Sequence, residues 1–183
     1  MKENKFIIVE GLDRCGKDTQ IKNLLTKLIY KPTHVLHYSA IPNISSAETL
    51  EYNNNSLYPD IFELIEEAGN RRNLIFNRSH LGEYVYGYMY RYYDPNYIFE
   101  IEKKYIKKDF WNKIYLIIFV DDVENLIKRE DGLSFSIDPI KKQEEIDRFN
   151  EIYDKTNINH KILININGKN IEEIKQIIYG FIK

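Results

Sequence analysis

Cysteine is nearly absent from the sequence. The 183 residues contain one, Cys15, which excludes an internal disulfide framework and any metal site built from several cysteines. Long hydrophobic runs are missing too. The longest early run covers residues 6–9, too short for a secretory signal or a membrane span, so a soluble, cytoplasmic protein is expected. Nor does one sign of charge dominate. Lys plus Arg number 26 against 28 Asp plus Glu, for a formal net charge of −2. That balance argues against a surface that grips nucleic acid throughout, while leaving room for a local basic pocket. No internal repeat or long linker is visible, and Asn53-Asn54-Asn55 is the longest low-complexity block.

What is present reads as globular: 43% apolar and 30% charged residues, in a length suited to a single domain over residues 1–183. Ile (29), Lys (19), Asn (18) and Tyr (15) dominate, whereas Ala occurs three times. All four have A/T-rich codons, so an individual Lys, Asn or Tyr is a weak pointer to function here. Apolar runs with β-branched residues at 6–9, 35–38, 74–76, 114–120 and 162–166 read as strands buried on both faces. Between them lie stripes of helical period: Ile21, Leu24, Leu25 and Leu28; Ile61, Phe62 and Ile65; Ile171, Ile174, Ile177 and Ile178. Asp94-Pro95 predicts a helix running toward Lys108. Asp138-Pro139 predicts another, with Ile146, Phe149, Ile152 and Tyr153 on one face. Strands alternating with helices imply an α/β fold, a parallel sheet covered on both faces, with ligands at the carboxyl ends of its strands.

The first strand runs into Glu10-Gly11-Leu12-Asp13-Arg14-Cys15-Gly16-Lys17-Asp18-Thr19-Gln20, and a helix follows. Gly11 and Gly16 let the backbone wrap so that successive N–H groups point inward, an anion cradle at a helix N-terminus. Lys17 can reach β- and γ-phosphates as a mobile point charge. Asp18 stands where the full pattern has Ser or Thr, so the assignment rests on context, a strand before and an amphipathic helix after. The four histidines, His34, His37, His80 and His160, include no pair at helical metal-binding spacing, and a zinc site is not expected.

This loop resembles that of thymidylate kinases and, more loosely, of other P-loop nucleoside monophosphate kinases. Leu74-Ile75-Phe76-Asn77-Arg78-Ser79 resembles their Asp-Arg motif, and Tyr115 to Asp121 the following strand. Arg129 resembles the arginine that opens their lid, and Glu145, Phe149 and Tyr153 the helix after it. The resemblance implies a five-stranded parallel sheet flanked by helices, ATP with Mg²⁺ as donor, a nucleoside monophosphate as acceptor, and a homodimer. It also implies roles for individual residues. Lys17, with Gly11, Gly16 and Thr19, would hold the donor phosphates. Arg14 would act as an arginine finger in cis, because the lid segment 130–140 holds no Lys or Arg. Asp13 would contact the sugar or phosphate end of the acceptor, Arg78 the acceptor phosphate, and Arg129 the ATP phosphates or adenine. Tyr86 falls where the family stacks an aromatic ring on the acceptor base.

Two departures from the family pattern stand out. Asp18 replaces the magnesium-binding hydroxyl, and Asn77 replaces the aspartate of the Asp-Arg motif, which keeps the number of carboxylates near the metal unchanged. A swap in which Asp18 supplies the charge that Asn77 lacks is one expectation, and a poorly binding site the other. The family's thymine-reading Phe and Arg lie about twenty residues before the Asp-Arg motif; residues 51–58 hold no arginine, and 38–42 no basic residue. The leading expectation is an ATP- and Mg²⁺-dependent kinase of a deoxynucleoside monophosphate, most like dTMP to dTDP. A kinase acting on a hydroxyl of a nucleoside or nucleic acid, and a weakly catalytic nucleotide-binding protein, remain open at this point.

Overall fold

Runs of Ile, Phe, Val and Leu form strands where helices can cover both faces. A computed structural model of the chain describes residues 3–38, 53–132 and 134–183. Its strands are β1 (Phe6–Gly11), β2 (Thr33–His37), β3 (Asn73–Asn77), β4 (Ile114–Val120) and β5 (His160–Asn165). They make one all-parallel sheet in the order β2-β3-β1-β4-β5. Strand positions match the sequence reading, but burial on both faces holds only for β1, β3 and β4. The edge strands β2 and β5 are only partly covered, with Val35 42% exposed.

Flanking helices are α1 (Lys17–Lys27), α2 (Pro59–Ala68), α3 (Gly82–Arg91), α4 (Tyr97–Tyr105), α5 (Val123–Lys128), α6 (Pro139–Lys155) and α7 (Ile171–Phe181). Helix α1 packs against α7, and α3 against α6. Asp138 caps α6 as its sequence predicts, accepting from the Ile140 N–H at 2.9 Å with Pro139 in the first turn. Asp94 does something different. It accepts from the Asn96 N–H at 3.0 Å, closing a turn, and α4 starts at Tyr97 and stops at Tyr105, short of Lys108. In α7, Ile174 and Ile178 are buried while Ile171, in the first turn, is 60% exposed.

The chain leaves β1 for β2 on one side and returns from β3 to β4 on the other, so the strand order reverses at the centre. A crevice forms there beyond the strand ends, the usual ligand position in such sheets. Val9 pairs in register with Asn77, which sets the loop after β1 beside the turn after β3.

Candidate active site

The loop after β1 is shaped by backbone conformations that few side chains permit. Gly11 has φ 129°, and a Cβ there would lie 2.1 Å from the Phe119 carbonyl oxygen, so only glycine fits against β4. Arg14 (φ 67°) and Gly16 (φ 75°) are both left-handed, and Gly16 is the N-cap of α1. Successive N–H groups in such a turn face one concave space, at the positive end of a helix. The cleft around it measures about 520 Å³. From the loop it receives Asp13, Arg14, Gly16, Lys17, Asp18 and Thr19; from the β2 and β3 ends, His37, Asn77 and Arg78; and from the end of α5, Arg129.

Every charged group in this cleft is held. Lys17 is buried, and its Nζ donates to the carbonyls of Gly11 (2.9 Å) and Leu12 (2.6 Å). Burial, then the Arg78 guanidinium, lower the lysine's pKa. Arg78, also left-handed at φ 71°, pairs its Nη2 with Asp13 Oδ1 at 2.5 Å. Arg14 forms an ion pair with Asp131, in the segment between α5 and α6. Arg129 is paired with the buried Asp121 and donates from Nη1 to the Arg14 carbonyl at 2.8 Å, tying the loop to the end of β4. Asn77 Nδ2 donates to Asp18 Oδ1 at 2.8 Å, so the two positions that depart from the family pattern touch each other. Cys15 is buried, and burial pushes its thiol up to about 11; it packs as a small apolar group.

A second, smaller cavity measures about 30 Å³. Arg78 lines both; Tyr38, Tyr58, Glu83, Tyr86 and Arg91 line only the second. That is room for one or two waters and not for a nucleobase, so a base that enters must move a wall. Tyr86 is buried, 5.5 Å ring to ring from Phe135 and 6.3 Å from Phe149. Phe135, from the segment between α5 and α6, also stacks on Tyr90 at 4.7 Å.

Comparison with known proteins gives this geometry a family. No family model matches the chain. A Methanocaldococcus jannaschii protein named "Probable thymidylate kinase" is 30% identical over 196 aligned positions, covering 100% of this chain and 98% of that one. The chain belongs to the thymidylate kinase family. Among solved structures, thymidylate kinase from Candida albicans matches with a TM-score of 0.70 at 17% identity, over 98% of this chain and 91% of that one. The YorR protein of Bacillus subtilis, solved in complex with phosphorylated GDP, matches with a TM-score of 0.65 at 19% identity, over 97% and 95%. Both share the fold.

Within the thymidylate kinase frame, the expected residues divide between two places. Asp13, Arg14, Gly16, Lys17, Asp18, Thr19, Arg78 and Arg129 meet around the large cleft, while Gly11 and Tyr86 line the small one. Of the segments compared with the family's base-reading helix and second-strand loop, residues 39–42 and 51–52 lie outside the described residues. His80 belongs to neither cavity. It is fully buried, with Nε2 3.1 Å from Glu102 Oε1 and its ring edge-on to Phe62, a structural histidine.

Sequence reasoning missed four residues. His37 ends β2 and lines the cleft; its place at a strand's carboxyl end was the available signal. Burial, and Arg78 after it, lower its pKa, favouring the neutral ring. Glu10 is fully buried. One of its oxygens accepts from the Ser79 N–H (2.7 Å), the Ser79 hydroxyl (2.6 Å) and the Gly82 N–H (3.2 Å), fastening the turn that carries Arg78. An acid directly after the apolar run 6–9 was its signal. The pair of buried Glu83 and half-buried Arg91 had none.

Proposed function

We propose that this protein transfers the γ-phosphoryl group of ATP to dTMP, giving dTDP and ADP. The observation that carries the reading is the cleft itself, whose lining brings the left-handed loop and Lys17 together with Arg78, a guanidinium suited to a second phosphate. Membership of the thymidylate kinase family supports dTMP as the acceptor.

Phosphoryl transfer leaves the protein mostly positioning and charge neutralisation. Loop N–H groups and Lys17 hold the β- and γ-phosphates, so Lys17 exchanges its carbonyl partners for phosphate oxygens. Arg78 holds the acceptor phosphate bidentately, oriented by Asp13. Arg14 neutralises charge on the transferring group, which competes with Asp131 for the guanidinium. Arg129, fixed by Asp121, forms the outer wall beside the donor. Segment 130–140 acts as the lid, and the contact of Phe135 with Tyr86 and Tyr90 links it to the acceptor side. Closure excludes water, the competing nucleophile.

Among the described residues no group of three or more His, Cys, Asp or Glu could hold a metal by itself. Mg²⁺ is held by one or two carboxylates together with substrate phosphates and water. Asp18 would be its carboxylate and Thr19 a neighbouring hydroxyl, and the ion would offset the charge of the triphosphate. The reading includes a homodimer, which sedimentation velocity tests. It also includes a cytoplasmic location; no helix among the described residues is long and apolar enough to cross a membrane.

The deciding assay follows ADP release with ATP and Mg²⁺ against a panel of nucleosides, nucleoside monophosphates and DNA, with products identified by mass. Turnover dependent on dTMP is expected. Phosphorylation of a hydroxyl, or binding with no turnover on any acceptor, overturns the reading.

A further inference from the structure

We propose that Arg91 reads the acceptor base, donating from its guanidinium to the exocyclic carbonyl farthest from the sugar, O4 of thymine or uracil and O6 of guanine. This rests on the reading above that the acceptor is a nucleoside monophosphate, and adds the residue that selects its base. Residues 51–58, compared above with the family's base-reading helix, hold no arginine. Arg91 instead enters the small cavity from the last turn of α3. Arg78 lines both cavities and Arg91 only the small one. A monophosphate anchored on Arg78 therefore extends its base toward Arg91, and the carbonyl distal to the sugar leads.

The guanidinium is pre-positioned with donors to spare. Its Nη1 donates to both oxygens of Glu83, at 2.6 and 2.7 Å. The Glu83 side chain is 1% exposed and also accepts from the hydroxyls of Tyr58 (2.7 Å) and Tyr93. Tyr93 in turn accepts from Asn54 Nδ2 at 3.1 Å. Four hydrogen bonds, from three donor groups, saturate the carboxylate, so Glu83 is a positioning residue and has no acceptor left for a base. Arg91 keeps Nε–H and the Nη2 donors without a hydrogen-bond partner among the described residues, and its side chain is 17% exposed at the cavity wall. Gly87 makes the arrangement possible. A Cβ there would lie 2.9 Å from Glu83 Oε1 and 3.1 Å from the Tyr93 ring. A guanidinium has donors only, so it donates to a carbonyl and is left with unpaired donors against the amino group that adenine and cytosine carry at that place.

The test compares dTMP with 5-methyl-dCMP, which carries an amino group in place of O4 and lacks the N3 proton, at saturating ATP. Proteins assayed are the wild type, Arg91→Lys, and the charge-neutral double variant Arg91→Gln with Glu83→Gln. The wild type should favour dTMP in kcat/KM by roughly 10- to 100-fold, the range of one hydrogen bond from a charged donor. Both variants should lose most of that preference through the acceptor KM, with the KM for ATP unchanged. Equal use of the two acceptors by the wild type overturns the proposal even where no variant folds. So does a proportional loss on both acceptors, which would make the Glu83–Arg91 pair a fastening of α3 alone. A wild-type preference for dAMP or dCMP overturns the base-reading role while leaving a monophosphate kinase standing. Absence of turnover on every monophosphate overturns the parent reading.

Discussion

Replacing Asn77 by Asp should expose the physical link between the two unusual positions of the site. In the wild type, Asn77 Nδ2 donates to Asp18 Oδ1 at 2.8 Å. Asn77→Asp turns that hydrogen bond into two facing carboxylates. If the side chains rotate apart to about 4 Å, their repulsion is ~1 kcal/mol in a water-like dielectric and ~4 kcal/mol at an effective dielectric near 20. Asp18 is exposed, so the lower part of that range applies. With the lost hydrogen bond, the total is about 2 kcal/mol, which for a chain of this size lowers Tm by roughly 4–8 °C. The assay is thermal unfolding of the wild type, Asp18→Ser, Asn77→Asp and the double variant, without nucleotide and in chelator. Asn77→Asp alone should be the least stable, and adding Asp18→Ser should restore most of the loss. High salt should shrink the difference, and Mg²⁺ should stabilise Asn77→Asp more than the wild type, because two carboxylates attract a dication. Effects that add within about 0.5 kcal/mol would show the two sites independent and refute the coupling.

Other outcomes follow from the same geometry. Gly11→Ala should cost more than about 4 kcal/mol or prevent folding, because its Cβ would lie 2.1 Å from a β4 carbonyl oxygen; a soluble variant with near-native Tm would contradict this. Arg14→Ala should lower kcat at least 100-fold with little change in Tm, since the side chain is 34% exposed and its ion pair is a surface one; a loss below tenfold removes Arg14 from the mechanism. Burial alone would raise the pKa of Glu102, but His80, Thr156 and the Asn157 N–H outweigh it and hold the carboxyl below its ordinary 4.5. Its contribution to stability is therefore complete above about pH 4.5 and is lost as pH falls through the lower folded-state value. Glu102→Gln should accordingly show a shallower loss of stability than the wild type below pH 4.5 in acid titrations followed by circular dichroism.

The strands were legible because runs such as Ile114–Val120 leave few alternatives to a buried parallel strand, and α6 because Asp138-Pro139 is a local signal with a local cause. Asp94-Pro95 carries the same signal but closes a turn, since the short side chain meets the Asn96 N–H before any helix begins. The edge positions of β2 and β5 depend on strand order, which no single run encodes. In the site, the loop was readable as a contiguous motif, whereas its supports come from distant segments: Glu10 grips Ser79, Arg129 grips Asp121, and Phe135 lies on Tyr90. Asn77 shows the limit best. By composition it is one of many asparagines, and only the fold reveals that it faces Asp18, 59 positions earlier.

Arg14 and Arg78 both sit at positive φ without being glycine. Each such backbone costs of order 1 kcal/mol that a glycine would not incur. At these two positions stability and chemistry therefore pull in opposite directions. Sequence change selected for heat resistance alone would move both toward glycine or asparagine, yielding a sturdier protein stripped of two guanidiniums that line the cleft. Persistence of arginine there under such selection would measure how strongly the work of the cleft, rather than folding, maintains this part of the chain.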